Sequence, residues 1–166
     1  MPWVEVKPAF EPSVRGLCPR AYPGHPHGCP NFGKKSCCPP QARLIIDVLD
    51  MTKPIYAIWN VFDLAAHVGR MRVRHSSWSQ RQLVCCLYWQ QGARAALQSE
   101  INEFLCFGPR ILLGIIRCPE AMGVNISKTM AQVEVILEWP PVNVAVQVAL
   151  AGTTIASPPA GERESG

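Results

Sequence analysis

Val142-Asn143-Val144-Ala145-Val146-Gln147-Val148-Ala149-Leu150 alternates without a slip. Val142, Val144, Val146, Val148 and Leu150 point one way, and Asn143, Ala145, Gln147 and Ala149 the other, which is the pattern of a half-buried antiparallel strand. A protein that carries such a strand needs partners for it, and the chain before it supplies three more candidates. Val133–Trp139 reads as a strand stopped by Pro140-Pro141, and Ile111–Arg117 as a strand with a short apolar run between two arginines. Residues 55–62, Ile-Tyr-Ala-Ile-Trp-Asn-Val-Phe, are rich in β-branched and aromatic types and read as the first strand.

Helical spacing fills the intervals. Asp63 is a candidate N-cap for a short helix to about Arg72, with Leu64, Val68 and Met71 on one face. A longer helix is expected from about Ser79 to Phe104, with Leu83, Leu87, Leu97, Ile101 and Phe104 on one stripe and Gly92 in its middle. Gln90 and Arg94 fall within that stripe, and a buried arginine needs a partner. Cys118–Val124 reads as a loop, and Asn125 caps a short helix to about Gln132. The predicted fold is α+β: a small, mostly antiparallel sheet covered by helices, with an N-terminal Cys/Pro-rich metal-binding loop. Residues 1–155 form one domain, and the small, polar tail 156–166 is expected to be disordered.

At 166 residues, 48% of them hydrophobic and 17% charged, the chain can bury a core without help from disulfides or metal. No apolar run reaches the length of a membrane span, and the N-terminus lacks the basic start and apolar stretch of a signal peptide. These features point to a cytoplasmic protein without a membrane partner. The formal charge of +4 is mild. The run Arg70-Met71-Arg72-Val73-Arg74-His75 has no aromatic interleaved for base stacking and reads as a solvated face, which argues against nucleic acid.

Eight cysteines in a reducing compartment read first as metal ligands or reactive thiols. Four of them, Cys18, Cys29, Cys37 and Cys38, lie between Leu17 and Pro40 with six prolines, a composition that forms neither helix nor sheet. A segment of that length needs something to hold it, and metal coordination is the obvious candidate. Structural zinc sites bring their cysteines in pairs two to four residues apart, whereas Cys18, Cys29 and Cys38 are spaced by ten and eight residues, with Cys118 far downstream. Proline follows Cys18, Cys29, Cys38 and Cys118, as it does beside many iron–sulfur ligands.

The stretch Cys29, Phe32-Gly33-Lys34, Cys38-Pro39-Pro40 resembles the first signature of a family of bacterial and archaeal cysteine-rich proteins described as predicted metal-binding and of unknown function. Phe32 stands where that family has tyrosine. Cys118-Pro119-Glu120, Gly123-Val124-Asn125 and Thr129 resemble a shortened form of its second signature. The resemblance implies a metal, foremost an iron–sulfur cluster such as 4Fe–4S, and no defined reaction.

The candidate ligands are therefore Cys18, Cys29, Cys38 and Cys118. Cys86, on the flank of the long helix's stripe, is the helix's candidate, whereas Cys85 points nearly opposite and Cys106, between Leu105 and Phe107, reads as core. His25 and His27 read as solvated loop histidines. An iron–sulfur protein would work with a redox partner or a small-molecule substrate. The alternative is a structural zinc module that binds nucleic acid or a protein partner. The sequence holds no nucleotide-binding glycine loop and no Ser-His-Asp arrangement.

Overall fold

A computed structural model describes residues 3–22, 25–30, 32–110 and 113–155. A single four-stranded sheet organises them. The strands are β1 (Trp3–Val6), β2 (Ile55–Asp63), β3 (Leu113–Ile116) and β4 (Val144–Thr153), in the order β1-β2-β4-β3, and every pairing is antiparallel. The fold is α+β, as the sequence predicts. The pairing of β2 with β4 runs from Ile55 opposite Gly152 to Asp63 opposite Val144, so the two longest strands form the centre. Among the described residues, four α-helices accompany the sheet: α1 (Leu64–Arg74), α2 (Gln80–Leu83), α3 (Cys86–Phe107) and α4 (Ile126–Ala131).

The alternation of β4 is real, but the strand is buried on both faces. Val148 and Leu150 pack with Ile55, Ala57 and Ile116 against Ile45, Leu49, Val124, Ile126 and Met130 on one side. On the other, Ala149 and Ala151 lie with Ile58 under Leu97, Ile101 and Phe104 of α3. The half-buried reading fails because alanine at alternate positions is not a solvent-facing choice here. Its small side chain lets the helix approach the sheet closely. Phe104 is fully buried and meets the rings of Trp3 and Tyr56 at centroid distances of 5.7 and 5.6 Å.

Three further expectations need correction. The helix predicted from Ser79 to Phe104 is broken. Ser79 and Gln82 form a reciprocal capping box, α2 ends after one turn at Leu83, and α3 begins at Cys86. The indole N–H of Trp89 donates to the Val84 carbonyl freed by the break, at 3.1 Å. The break resets the helical phase, so the buried stripe is Trp89, Ala93, Leu97, Ile101 and Phe104. Leu87 is 83% exposed, and Arg94 lies at the surface and needs no buried partner.

Val133–Trp139 is not a strand. The amides of Val133 and Val135 both donate to the Met130 carbonyl, and Glu134 has φ of 60°, so the chain turns instead of pairing. Val133, Val135 and Leu137 still pack on the core while Ile136 is 83% exposed. The period of two is present without the ladder. The strand expected at Ile111–Arg117 is narrower, Leu113–Ile116, with residues 111 and 112 outside the described ones.

Other expectations hold. Asp63 caps α1 by accepting from the Ala66 amide at 2.7 Å, and Asn125 caps α4 by accepting from the Lys128 amide at 3.0 Å. Strand β1 adds an edge that the sequence reading did not include. The tail 156–166 lies outside the described residues. Among the described residues, no helix is long and apolar enough to cross a membrane.

Candidate metal centre

The N-terminal segment is stitched to the far end of the chain. Phe10 bridges Val124, the Glu11 amide donates to the Gly123 carbonyl at 2.8 Å, and the Asn125 amide donates to the Ala9 carbonyl at 2.8 Å. Glu11 also receives Lys128 and Asn125 side chains at 2.5 and 3.0 Å. The 3-10 turn Pro12–Leu17 consequently lies beside the turn Pro119–Met122, and Cys18 and Cys118, a hundred residues apart in sequence, reach the same end of the molecule.

The Cys/Pro segment is a chain of turns, as its composition implies. The Cys29 amide donates to the Cys18 carbonyl at 2.8 Å, which closes the stretch between them. Gly28 supplies the left-handed residue (φ +75°) just before it, where a β-carbon would lie 2.5 Å from the Pro19 carbonyl carbon. At the other end, the Cys38 amide donates to the Lys35 carbonyl and the Ala42 amide to the Cys38 carbonyl, at 2.9 and 2.8 Å. Arg15 ties the two ends together, donating to the Pro40 and Ala42 carbonyls at 3.1 and 2.8 Å. Its buried Nε has no partner among the described residues.

These ties bring Cys29 and Cys38 within electrostatic range of Cys18, and Cys38 within range of Cys118. Burial pushes the Cys18 thiol above its ordinary value, with Cys29, Cys38 and Glu120 adding to the shift and Arg15 opposing it. The Cys118 thiol is pushed up to about 11, first by burial, then by Cys37 and Glu120, by a hydrogen bond with Cys37, and by Cys38. As a residue Cys118 is exposed, but its sulfur is crowded against Cys37 in the wall of a cleft. Thiols held this high keep their protons at neutral pH, so a metal must displace protons to bind them.

Cys86 packs against Leu64, Trp89, Ala93 and Ala145. It also borders the loop: the Tyr22 hydroxyl is held above its ordinary value by burial, then by Cys29, Cys86 and Cys18. Cys85 is the N-cap of α3, and Cys106 is exposed, which corrects its reading as core. The helix face around Leu105 and Phe107 turns to solvent, both being more than half exposed. His25 packs its ring on Tyr22 at 4.6 Å and pairs with it through the backbone.

The sequence places Cys38 and not its neighbour Cys37 among the candidate ligands, and the structure gives the two different surroundings. Cys37 is exposed and joins Cys118 in the cleft, whereas Cys38 is half-buried and within range of both Cys18 and Cys118. The aromatics missing from the Arg70–His75 run come from elsewhere in the fold. His75 stacks on Trp78 at 4.0 Å, and Trp78 meets Tyr88 at 4.8 Å.

Among the described residues, no three His, Cys, Asp or Glu side chains are close enough to hold a single metal ion. No family model, curated protein or solved structure matches the chain.

Proposed function

We propose that the cysteine-lined end of the molecule is an iron–sulfur centre, with Cys18, Cys29, Cys38 and Cys118 as its thiolate ligands and Cys86 at its border. The observation that carries this reading is that Cys29 and Cys38 both bear on the Cys18 thiol and Cys38 also bears on the Cys118 thiol, so cysteines from separate turns of the chain lie near one another. The donor set is soft and suits an iron–sulfur cluster or zinc.

Spacing along the chain favours the cluster. Structural zinc sites bring their cysteines in pairs two to four residues apart, whereas Cys18, Cys29 and Cys38 are separated by ten and eight residues and each is followed by proline or a proline pair, as beside many iron–sulfur ligands. Arg15, within range of Cys18, offsets the negative charge that the thiolates would bring. The resemblance of Cys29 to Pro40 to the predicted metal-binding family points the same way. Bound here, a cluster supplies one-electron transfer or, at an iron left without a thiolate, Lewis acidity toward a small substrate. A reducing compartment such as the cytoplasm suits free thiols of this kind.

Anaerobic purification with metal analysis and an absorption spectrum tests the reading. Brown protein with stoichiometric iron and sulfide is expected, lost in Cys29→Ser and Cys38→Ser and retained in Cys37→Ser. Colourless protein with one equivalent of zinc would replace the cluster by a structural zinc module. Protein with no stoichiometric metal would leave a set of free thiols. Loss of iron in Cys37→Ser with retention in Cys38→Ser would overturn the ligand assignment.

A further inference from the structure

The cleft that holds Cys37 and Cys118 has about 610 Å³ of space, within the range of small-molecule sites. Three stretches of chain line it: residues 36–43 of the Cys-Pro-Pro turn, Val48, and the segment from the end of β3 to Met122. Its apolar surface comes from Val48, Ile115, Ile116 and Met122. Among the described residues, its charged lining consists of Arg43 and Arg117, with no aspartate or glutamate. Among the described residues neither arginine forms an ion pair. One N–H of Arg43 reaches the Asp47 carbonyl, and its other donors make no hydrogen bond among the described residues.

An apolar floor with two cationic forks is complementary to one class of ligand, and Glu120, within range of Cys118 in the wall, is pushed by burial toward its protonated form. We propose that this cleft binds a small organic anion with an apolar body, a carboxylate in the simplest case. Arginine presents its donors in a planar fork that matches a carboxylate in bidentate geometry, and the surrounding apolar wall raises the value of that contact over one in water. The hydrocarbon part replaces water over Ile115, Ile116 and Met122. A ligand seated there lies against Cys37 and Cys118. That it would be the substrate of a metal centre rests on the reading above, whereas the cleft and its two cations do not.

Equilibrium dialysis of the whole chain as purified, with labelled hexanoate and its neutral isostere hexanamide, tests the site. One equivalent of hexanoate is expected to bind, with hexanamide at least about tenfold weaker. Arg43→Gln and Arg117→Gln should each abolish the preference for the anion while leaving thermal melting unchanged, both side chains being exposed. Lys53→Gln, in the smaller cleft beside Glu5 and Met51, should leave binding unchanged. Cys29→Ser separates the two proposals: it should remove metal and keep hexanoate binding. Equal binding of hexanoate and hexanamide would overturn the inference, as would equal loss in Lys53→Gln or no saturable binding up to about 10 mM.

Discussion

The two ends of this molecule are held by different physics. At the α3 end, side chains that are wholly buried interlock across a continuous antiparallel ladder, and Ile58, Ala149, Ala151, Ile101 and Phe104 expose 1% or less of their surface. At the cysteine end, residues 17–42 bury only Gly28, Pro39 and Ala42 among those described, and main-chain bonds and the side chains of Arg15 and Gln41 hold the turns. Burial of apolar area stabilises by roughly 25 cal/mol per Å², so the first end is self-sufficient. The second end has little such burial and depends on the bonds that its donors make. A fold of this kind can lose order at one end without losing it at the other.

The comparison breaks first at Phe104. Truncation to alanine empties a site ringed by Trp3, Tyr56 and the sheet, and should cost about 3–5 kcal/mol in urea or thermal unfolding. A loss below about 1 kcal/mol would mean that α3 does not anchor the sheet.

Gly28→Ala should act on the other end. The new β-carbon would strike the Pro19 backbone and strain a left-handed residue, at a cost of about 1–3 kcal/mol in local opening. Hydrogen exchange at the Cys29 amide and proteolysis within residues 17–40 should both rise, with the main melting transition little changed. A fall in the main transition as large as that of Phe104→Ala would show that the two ends unfold as one.

The smallest effect is at Glu138, where the turn before β4 begins. Its carboxylate accepts from the amides of Asn143, Val142 and Val144, which lowers its pKa from 4.5 to about 2. The group's contribution is present above about pH 4.5 and is lost as the pH falls toward 2. Protection of the 142–144 amides should fall over that window and be weak at all pH values in Glu138→Gln. A flat profile in the unsubstituted protein would remove the carboxylate from the turn.

Strand β2, the caps at Asp63 and Asn125 and the face assignment within β4 were legible because each depends on residues close in sequence. The break at Val84–Cys85 was not, because it depends on Trp89 reaching back to a carbonyl and on a helix phase that packing selects. Val133–Leu137 misled for a related reason. Alternation reports which side chains face the core, and says nothing of whether a neighbouring strand is there to pair. In the candidate centre, the cysteines in the turns could be named from local composition. That Cys37 would meet Cys118, and that Arg15 would fasten the Cys-Pro-Pro turn, follows from contacts between segments far apart in the chain, which no local pattern encodes.

Among the described strands, β4 is the one synthesised last and the one partner that β2 and β3 share. While the ribosome is still short of residue 144, β2 can pair only with β1, and β3 has no strand beside it. The cysteine turns, more than a hundred residues upstream, leave the exit tunnel long before their scaffold can close. During synthesis their thiols therefore meet the cellular milieu as part of an open chain, and completion of the sheet comes after that exposure.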